Sequence, residues 1–265
     1  MKCSILIPLY QAHEHYRDTL HIALNQTHPD VQVVVVIDDG LEYELPESVV
    51  CVRAGIGSGP NAARNAGLPW CQGDMILPLD ADDWMSLDRV EKLAPLVQQY
   101  GVAGDCEITR NKDTGIIERE VFPGVTQTQI LSASHYLDLN ATIHLAFRRD
   151  VIQRWPESVA LAGDTVFNLD AIERAGALAI YPQTLFEYRT HLNSHCHRPG
   201  SIERAEAGYQ EILRLIDAGV VARQPDLQCH ARALFQAKRT TNQAYGRFVA
   251  QHGPHSFDHF LETTQ

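Results

Sequence analysis

Three aspartates fall within four positions, Asp80, Asp82 and Asp83, directly after the apolar run Met75, Ile76, Leu77 and Leu79. Such a run is buried as a strand, so the acids emerge where the strand leaves its sheet, which is where ligands bind in open α/β sheets. Carboxylates this close repel one another and hold their protons more tightly unless a cation or a hydrogen-bond donor shares the site. Their chemistry calls for a hard divalent ion, Mn²⁺ or Mg²⁺, together with phosphate oxygens. The plainer alternative is that Asp82 or Asp83 caps a helix beginning near Ser86, although a cap requires one acid and not three.

Other residues suited to chemistry stand nearby in the chain. Asp38 and Asp39 close a second apolar run, Val31 to Ile37, and with Gly40 form a tripeptide that an ordinary turn also favours. The loop GIGSGPN leads into Asn61, Arg64 and Asn65. Backbone N–H groups at such a helix start attract phosphate, and Arg64 either adds a forked cation there or is a plain surface charge. Gly55, Gly57 and Gly59 do not form a dinucleotide fingerprint, because its third glycine would fall on Pro60 and no acid follows at ribose distance. His191, His195 and His197 surround Cys196, but an independent zinc site lacks a matching pair elsewhere.

The elements that must position these residues alternate in type. Cys3 to Leu9 reads as a strand, Tyr16, Leu20, Ala23 and Leu24 recur at helical spacing, and Val31 to Ile37 has the continuous apolarity of a strand buried on both faces. A strand at Val49 to Val52, a helix over Ala62 to Leu68 and the strand ending at Asp80 follow, then a helix over 86–100, a strand over 102–108 and an extended stretch over 115–122. This βαβ order predicts an α/β fold with a doubly wound, mostly parallel, Rossmann-like sheet. Later, Thr142 to Arg148, Ala177 to Ile180 and Leu185 to Arg189 read as strands, and Thr165 to Ala175 as a helix. After Pro199 the texture is helical, with one stripe of Ala205, Tyr209, Ile212, Leu213 and Ile216 and another of Leu227, Ala231, Leu234 and Phe235.

Length and charge set outer bounds. A chain of 265 residues, 45% hydrophobic, can bury a full core. Residues 201–265 balance their charges, so the net charge of −11 belongs to residues 1–200. An acidic body has no electrostatic footprint for nucleic acid, although it can bind polyphosphates through a metal. Six scattered cysteines without a C-x-x-C pair are expected to be buried thiols of a cytoplasmic protein. No signal peptide and no stretch long enough to span a membrane is evident.

The motifs resemble, in order, those of family 2 glycosyltransferases, inverting enzymes of the GT-A fold that use nucleotide-diphosphate sugars. SILIPLY at 4–10, VVVVIDDG at 33–40, GPNAARNAGL at 59–68 and the D-A-D at 80–82 carry the likeness, joined by GDTVF at 163–167 and EYRTHLNSH at 187–195. The resemblance spans about residues 3–198 and implies a GT-A domain over 1–200, with a nucleotide-binding half over 1–100 and an acceptor half over 101–200. Residues 201–265 then form a helical extension, expected to pack on the core and to supply a homodimer contact or a peripheral contact at the inner membrane face.

Roles follow from the resemblance residue by residue. Asp39 would accept the imide N–H of the base, Asp80 would reach the ribose or the donor sugar, and Asp82 would ligate the metal, with Asp83 behind it. Pro8 and Tyr10 end the first strand beside Asp39, where Tyr10 either stacks on the base or packs at the rim. Asn61 and Arg64 would face the diphosphate, and His191 would contact the diphosphate or the metal. Asp164 stands where the family places its catalytic base, a position that also suits a helix cap. The family often carries Glu-Asp there, and this chain has Gly163 in place of the first acid. Asp150, Glu157 and Asp170 are the fallback bases.

The expected activity is transfer of a sugar from a nucleotide donor, a UDP-sugar first, to a hydroxyl of a glycan or lipid-linked acceptor. Two rivals belong to other classes. A haloacid dehalogenase type phosphatase would need an aspartyl nucleophile on the leading strand, whereas this D-x-D lies four strands in. A noncatalytic sugar-nucleotide-binding protein would bind donor without turning it over.

Overall fold

The computed structural model describes residues 1–141, 143–190, 200–253, 260 and 263. An apolar run with no polar face must be covered on both sides, and β1 (Cys3–Leu9) is such a strand: Ile5 and Ile7 enter one core and Leu6 the opposite one. It lies between β2 (Val31–Ile37) and β4 (Met75–Pro78), with β3 (Val50–Arg53) outside β2, all parallel. Strand order reverses beside β1, so the residues that follow β1, β2 and β4 gather at one switch point.

Helices α1 (Tyr16–Leu24) and α3 (Arg89–Tyr100) cover the face of Ile5 and Ile7 through Leu20, Ala23, Leu93 and Val97. Helix α2 (Pro60–Gly67) covers the face of Leu6, and it does so closely. A Cβ on Gly67 would stand 2.5 Å from both Leu6 Cδ1 and Val36 Cγ2, so only glycine lets the helix lie this near the sheet. Each fully buried aliphatic side chain of these layers contributes about 1.5–3 kcal/mol.

The second half of the sheet is mixed. A short strand β9 (Ala146–Arg148) runs antiparallel between β4 and β6 (Val102–Asn111), and β6 pairs in parallel with the long β10 (Leu178–Thr190). The intervening chain supplies β5 (Trp84–Met85), antiparallel to β10, β7 (Ile117–Val121), a hairpin partner of β6, and β8 (Gln129–Leu131) on the flank of β10. Helices α4 (Ala133–Asp138) and α5 (Gly163–Ala175) lie on the Leu6 side, and so do α6 (Ser201–Asp217) and α7 (Pro225–His252). Ile212, Ile216, Ala231 and Phe235 from the last two are wholly buried in that same core, so both apolar stripes are covered within the chain.

Several boundaries differ from the sequence expectation. The helix expected from Ser86 starts at Arg89, because Trp84 and Met85 pair with Glu187 and Phe186 first; its cap position is Asp88, and neither Asp82 nor Asp83 caps it. The two strands expected at 177–180 and 185–189 are one strand whose register slips between Tyr181 and Phe186, since β6 pairs along its whole length. The strand expected over 142–148 shortens to β9, with Thr142 outside the described residues. Cys3, Cys71 and Cys106 are buried as expected, Cys51 and Cys229 are exposed, and Cys196 lies outside the described residues. Among the described residues no helix is long and apolar enough to cross a membrane.

The two halves are tied by a buried charge. Arg89 at the start of α3 is fully buried, donates from Nε to Asp105 of β6 at 2.7 Å and from Nη2 to the His144 carbonyl at 2.5 Å, and lies over the Phe186 ring at 4.5 Å. Asp105 also accepts the Leu185 N–H at 3.0 Å. Removing one partner strands the other charge without water, so Arg89→Met is expected to lower stability by about 3–5 kcal/mol in urea unfolding. A loss below about 1 kcal/mol would show that the pair does not hold the halves together.

Candidate active site at the carboxyl edge of the sheet

After β4, Leu79 donates its N–H to Leu6 and the chain turns, Asp83 N–H meeting the Asp80 carbonyl at 3.2 Å before β5 begins. The three acids thus diverge in environment. Asp80 receives Arg64 Nη2 at 2.5 Å. Burial opposes its ionisation, but Arg64 and His144 beside it hold its carboxyl below the usual range. Asp83 is fully buried; burial, with Asp82 and Asp80 as like-charged neighbours, pushes its carboxyl well above the usual range. One of its oxygens accepts the Arg189 N–H at 3.0 Å, while Oδ2 is buried with no hydrogen-bond partner.

Sequence reasoning missed the residue that sits among these acids. His144, just ahead of β9, gives Nδ1 to Glu107 of β6 at 3.0 Å, stands 3.9 Å from Asp83 through Nε2, and stacks on Phe186 at 4.2 Å. Burial works against its charge, but Glu107, Asp83 and Asp80 outweigh it and lift the imidazole to about 9. The available signal was a lone histidine inside the apolar stretch Ile143–Phe147, opposite a strand that carries Asp105 and Glu107 at alternate positions.

The other end of the edge belongs to Asp38 and Asp39. Buried Asp38 accepts the Ser58 N–H at 3.0 Å, the Ser58 hydroxyl and the Gly59 N–H at 2.9 Å, so it anchors the glycine loop ahead of α2 rather than forming only a turn. Asp39 accepts the Gln11 N–H at 2.6 Å, the Tyr43 hydroxyl at 2.7 Å and the Leu41 N–H at 2.9 Å. Burial raises its carboxyl, and these donors bring it below the usual range. Gln11 is held at φ 52°, a left-handed conformation costly for a side-chain-bearing residue. Tyr10 is exposed at the rim and Pro8 half-buried within β1.

Helices α2 and α5 meet beneath these acids. Asn61 donates to the Pro156 carbonyl at 3.0 Å, and a Cβ at Gly163 would stand 2.3 Å from its Nδ2, so a side chain at 163, where the family often has Glu, would have to displace the Asn61 amide from that bond. Asp164 is the second residue of α5, not its cap; the cap is Ala162, at φ 62°. Its Oδ1 accepts the Thr165 N–H at 2.9 Å, and its charge acts on Arg64 together with that of Asp80. Arg64 is buried, with Nε lacking a partner. The fallback acids are engaged elsewhere: Asp150 with Arg148, Glu157 with Arg154 and Asn65, Asp170 with Arg174 and Arg223. His191 lies outside the described residues.

A divalent ion fits what is present. Asp82 and Asp83 offer adjacent hard oxygens, one of them the orphaned Asp83 Oδ2. Among the described residues no three His, Cys, Asp or Glu side chains converge on one point. An ion of the Mg²⁺ type is commonly held by one or two carboxylates plus substrate phosphates rather than by a protein cage.

The family profile described as Glycosyl transferase family 2 matches residues 4–155, and the chain belongs to that family. An uncharacterized glycosyltransferase of Haemophilus influenzae is 30% identical over 125 residues, covering 41% of this chain and 50% of the relative. Poly(ribitol-phosphate) beta-N-acetylglucosaminyltransferase TarS of Staphylococcus aureus is 23% identical over 235 residues, 82% of this chain and 40% of the relative. The crystal structure of S. aureus TarS 1-349 in complex with UDP-GlcNAc matches with a TM-score of 0.65 at 15% identity, over 93% of this chain and 92% of that one, which shows a shared GT-A fold. The chain spans half or less of the length of the first curated relatives it matches, 43%, 15% and 50%.

The imidazole gives a pH test. A histidine raised from 6.5 to about 9 contributes stability that is whole below about 6.5 and is lost as pH rises through about 9; the raised carboxyl of Asp83 acts in the same direction. Unfolding curves between those limits should show the wild type weakening with pH more steeply than His144→Gln, which keeps only the Asp83 contribution. Parallel profiles for the two proteins would show that His144 is not charged in the fold.

Proposed function

We propose that this member of glycosyl transferase family 2 is a metal-dependent inverting glycosyltransferase that moves a sugar from a UDP-sugar to a hydroxyl of a glycan or lipid-linked acceptor. The observation that carries the reading is that Asp164 and Asp80, from two separate elements, act on one buried guanidinium, Arg64, at the switch point of the sheet.

On the donor side, an ionised carboxylate has about four acceptor positions. Asp39 accepts from Gln11, Leu41 and Tyr43 of its own chain, and the imide N–H of the base would be a further donor to it, with Tyr10 at the rim and Pro8 behind it. Arg64 fixes Asp80 toward the ribose or the donor sugar, and the N–H groups that open α2 at Asn61 face the phosphates. Asp82 would hold Mn²⁺ or Mg²⁺, with Asp83 beside it and His191 as the further ligand expected from the sequence. The bound ion supplies Lewis acidity toward the departing diphosphate. A UDP donor is supported by the imide-accepting group and by the similarity to TarS, whose structure holds UDP-GlcNAc.

On the acceptor side, Asp164 takes the proton from the attacking hydroxyl. It stands in the first turn of α5, beside the positive helix end, and its charge acts on Arg64 together with that of Asp80. Asp164→Asn is expected to keep UDP affinity and to lower transfer at least about a hundredfold, because the amide preserves shape but accepts no proton. Transfer within a few-fold of wild type would move the role to another group, and UDP binding without turnover in the wild type would favour a noncatalytic binding protein. Asp82→Ala should abolish the Mn²⁺ dependence of UDP binding in calorimetry while leaving the fold intact; undiminished Mn²⁺-dependent binding would remove Asp82 from the metal site.

A further inference from the structure

Glu107 fixes His144 twice. One carboxylate oxygen accepts the His144 backbone N–H at 2.5 Å and the other accepts from Nδ1 at 3.0 Å, so Nδ1 carries its proton toward Glu107. Phe186 at 4.2 Å and Tyr188 at 5.5 Å stack against the ring and set its plane. Nε2 has no hydrogen bond among the described residues, and at 20% side-chain exposure the ring can be reached from solvent.

Facing Nε2, at 3.9 Å, is Asp83 Oδ2. Asp83 is 1% exposed and its other oxygen is held by the Arg189 N–H at 3.0 Å, which leaves Oδ2 buried and unpartnered on the side of the ring. A hydrogen bond spans no more than about 3.2 Å between heavy atoms. Two ligands of one divalent ion, each about 2.0–2.2 Å from it, stand at most about 4.4 Å apart. The gap between Nε2 and Oδ2 is therefore too wide for a direct hydrogen bond and narrow enough for a shared ion. A carboxylate on the far ring nitrogen is also the usual support of a metal-bound imidazole, because it fixes the tautomer and makes the lone pair more basic. In the metal-free protein a proton on Nε2 answers the surrounding acids, and an ion bound there takes the proton's place.

We propose that His144 Nε2 is a metal ligand, paired with Asp83 Oδ2 on the divalent ion of the acid turn, with Glu107 as the carboxylate that orients the ring. Since no three such side chains converge on one point among the described residues, Asp82 closes on this pair when the ion binds. The inference rests on the metal-dependent reading of the site and adds a nitrogen donor to it. Mg²⁺ keeps to oxygen ligands, so that donor turns the choice of ion toward Mn²⁺.

The test is titration of the full-length protein with Mn²⁺, alone and with UDP, followed by calorimetry and by electron spin echo spectroscopy on protein labelled with ¹⁵N in its histidines. Wild type is expected to show a histidine nitrogen bound directly to Mn²⁺, and His191→Gln to keep that signal. His144→Gln should lose the signal and weaken Mn²⁺ at least about tenfold, with a smaller effect on Mg²⁺, while Glu107→Gln should keep it and weaken Mn²⁺ about 10–100-fold. Urea midpoints establish that each variant is folded; should His144→Gln not fold, the signal of His191→Gln decides. Mn²⁺ bound without a histidine nitrogen, a signal that disappears in His191→Gln, or one that survives in folded His144→Gln overturns the proposal and leaves the metal-dependent reading in place. Absence of Mn²⁺ binding to the wild type, with and without UDP, overturns both.

Discussion

Carboxylates taken out of water must be answered by charge, and this constraint organises the edge of the sheet. Asp83, Asp105 and Glu107 are buried there and Asp80 is partly so, while Arg64, Arg89 and His144 stand against them. Each cation comes from a different element: Arg64 from α2, Arg89 from the start of α3, His144 from the approach to β9. An isolated buried ion costs several kcal/mol, so these elements hold their places or the fold loses more than it can spare. The interaction that positions the site is therefore also one that closes the second half of the sheet on the first.

A division of labour among the acids follows. Asp105 and Glu107 are committed to Arg89 and His144. Asp38 is committed to the glycine loop, and Asp80 is aimed by Arg64. Asp82 lies in the turn after β4 and Asp164 in the first turn of α5. Arg64 feels the charge of both the acid turn, through Asp80 and Asp83, and of Asp164.

Much of this was legible in the chain because it is local. Val31 to Ile37 and Cys3 to Leu9 announce strands covered on both faces, and the acids that follow them necessarily lie at one edge. What stayed hidden depends on contacts between distant residues. The Glu107 to His144 pair and the Arg89 to Asp105 pair join positions whose partners periodicity does not reveal. The start of α3 was misplaced because Trp84 and Met85, apolar and compatible with either state, are claimed by β10. Aspartate favours the cap position, but α5 begins at Gly163 with Ala162 as its cap, which leaves Asp164 inside the first turn.

The central claim is that Arg64 reserves Asp80 and leaves the metal to Asp82. Anomalous scattering from crystals grown with UDP and Mn²⁺ tests it directly. The account predicts one Mn²⁺ within about 2–2.5 Å of the Asp82 carboxylate, the range of hard-cation oxygen contacts, with the Arg64 to Asp80 pair intact. Manganese bound to Asp80 with Arg64 displaced, and no contact to Asp82, would contradict it.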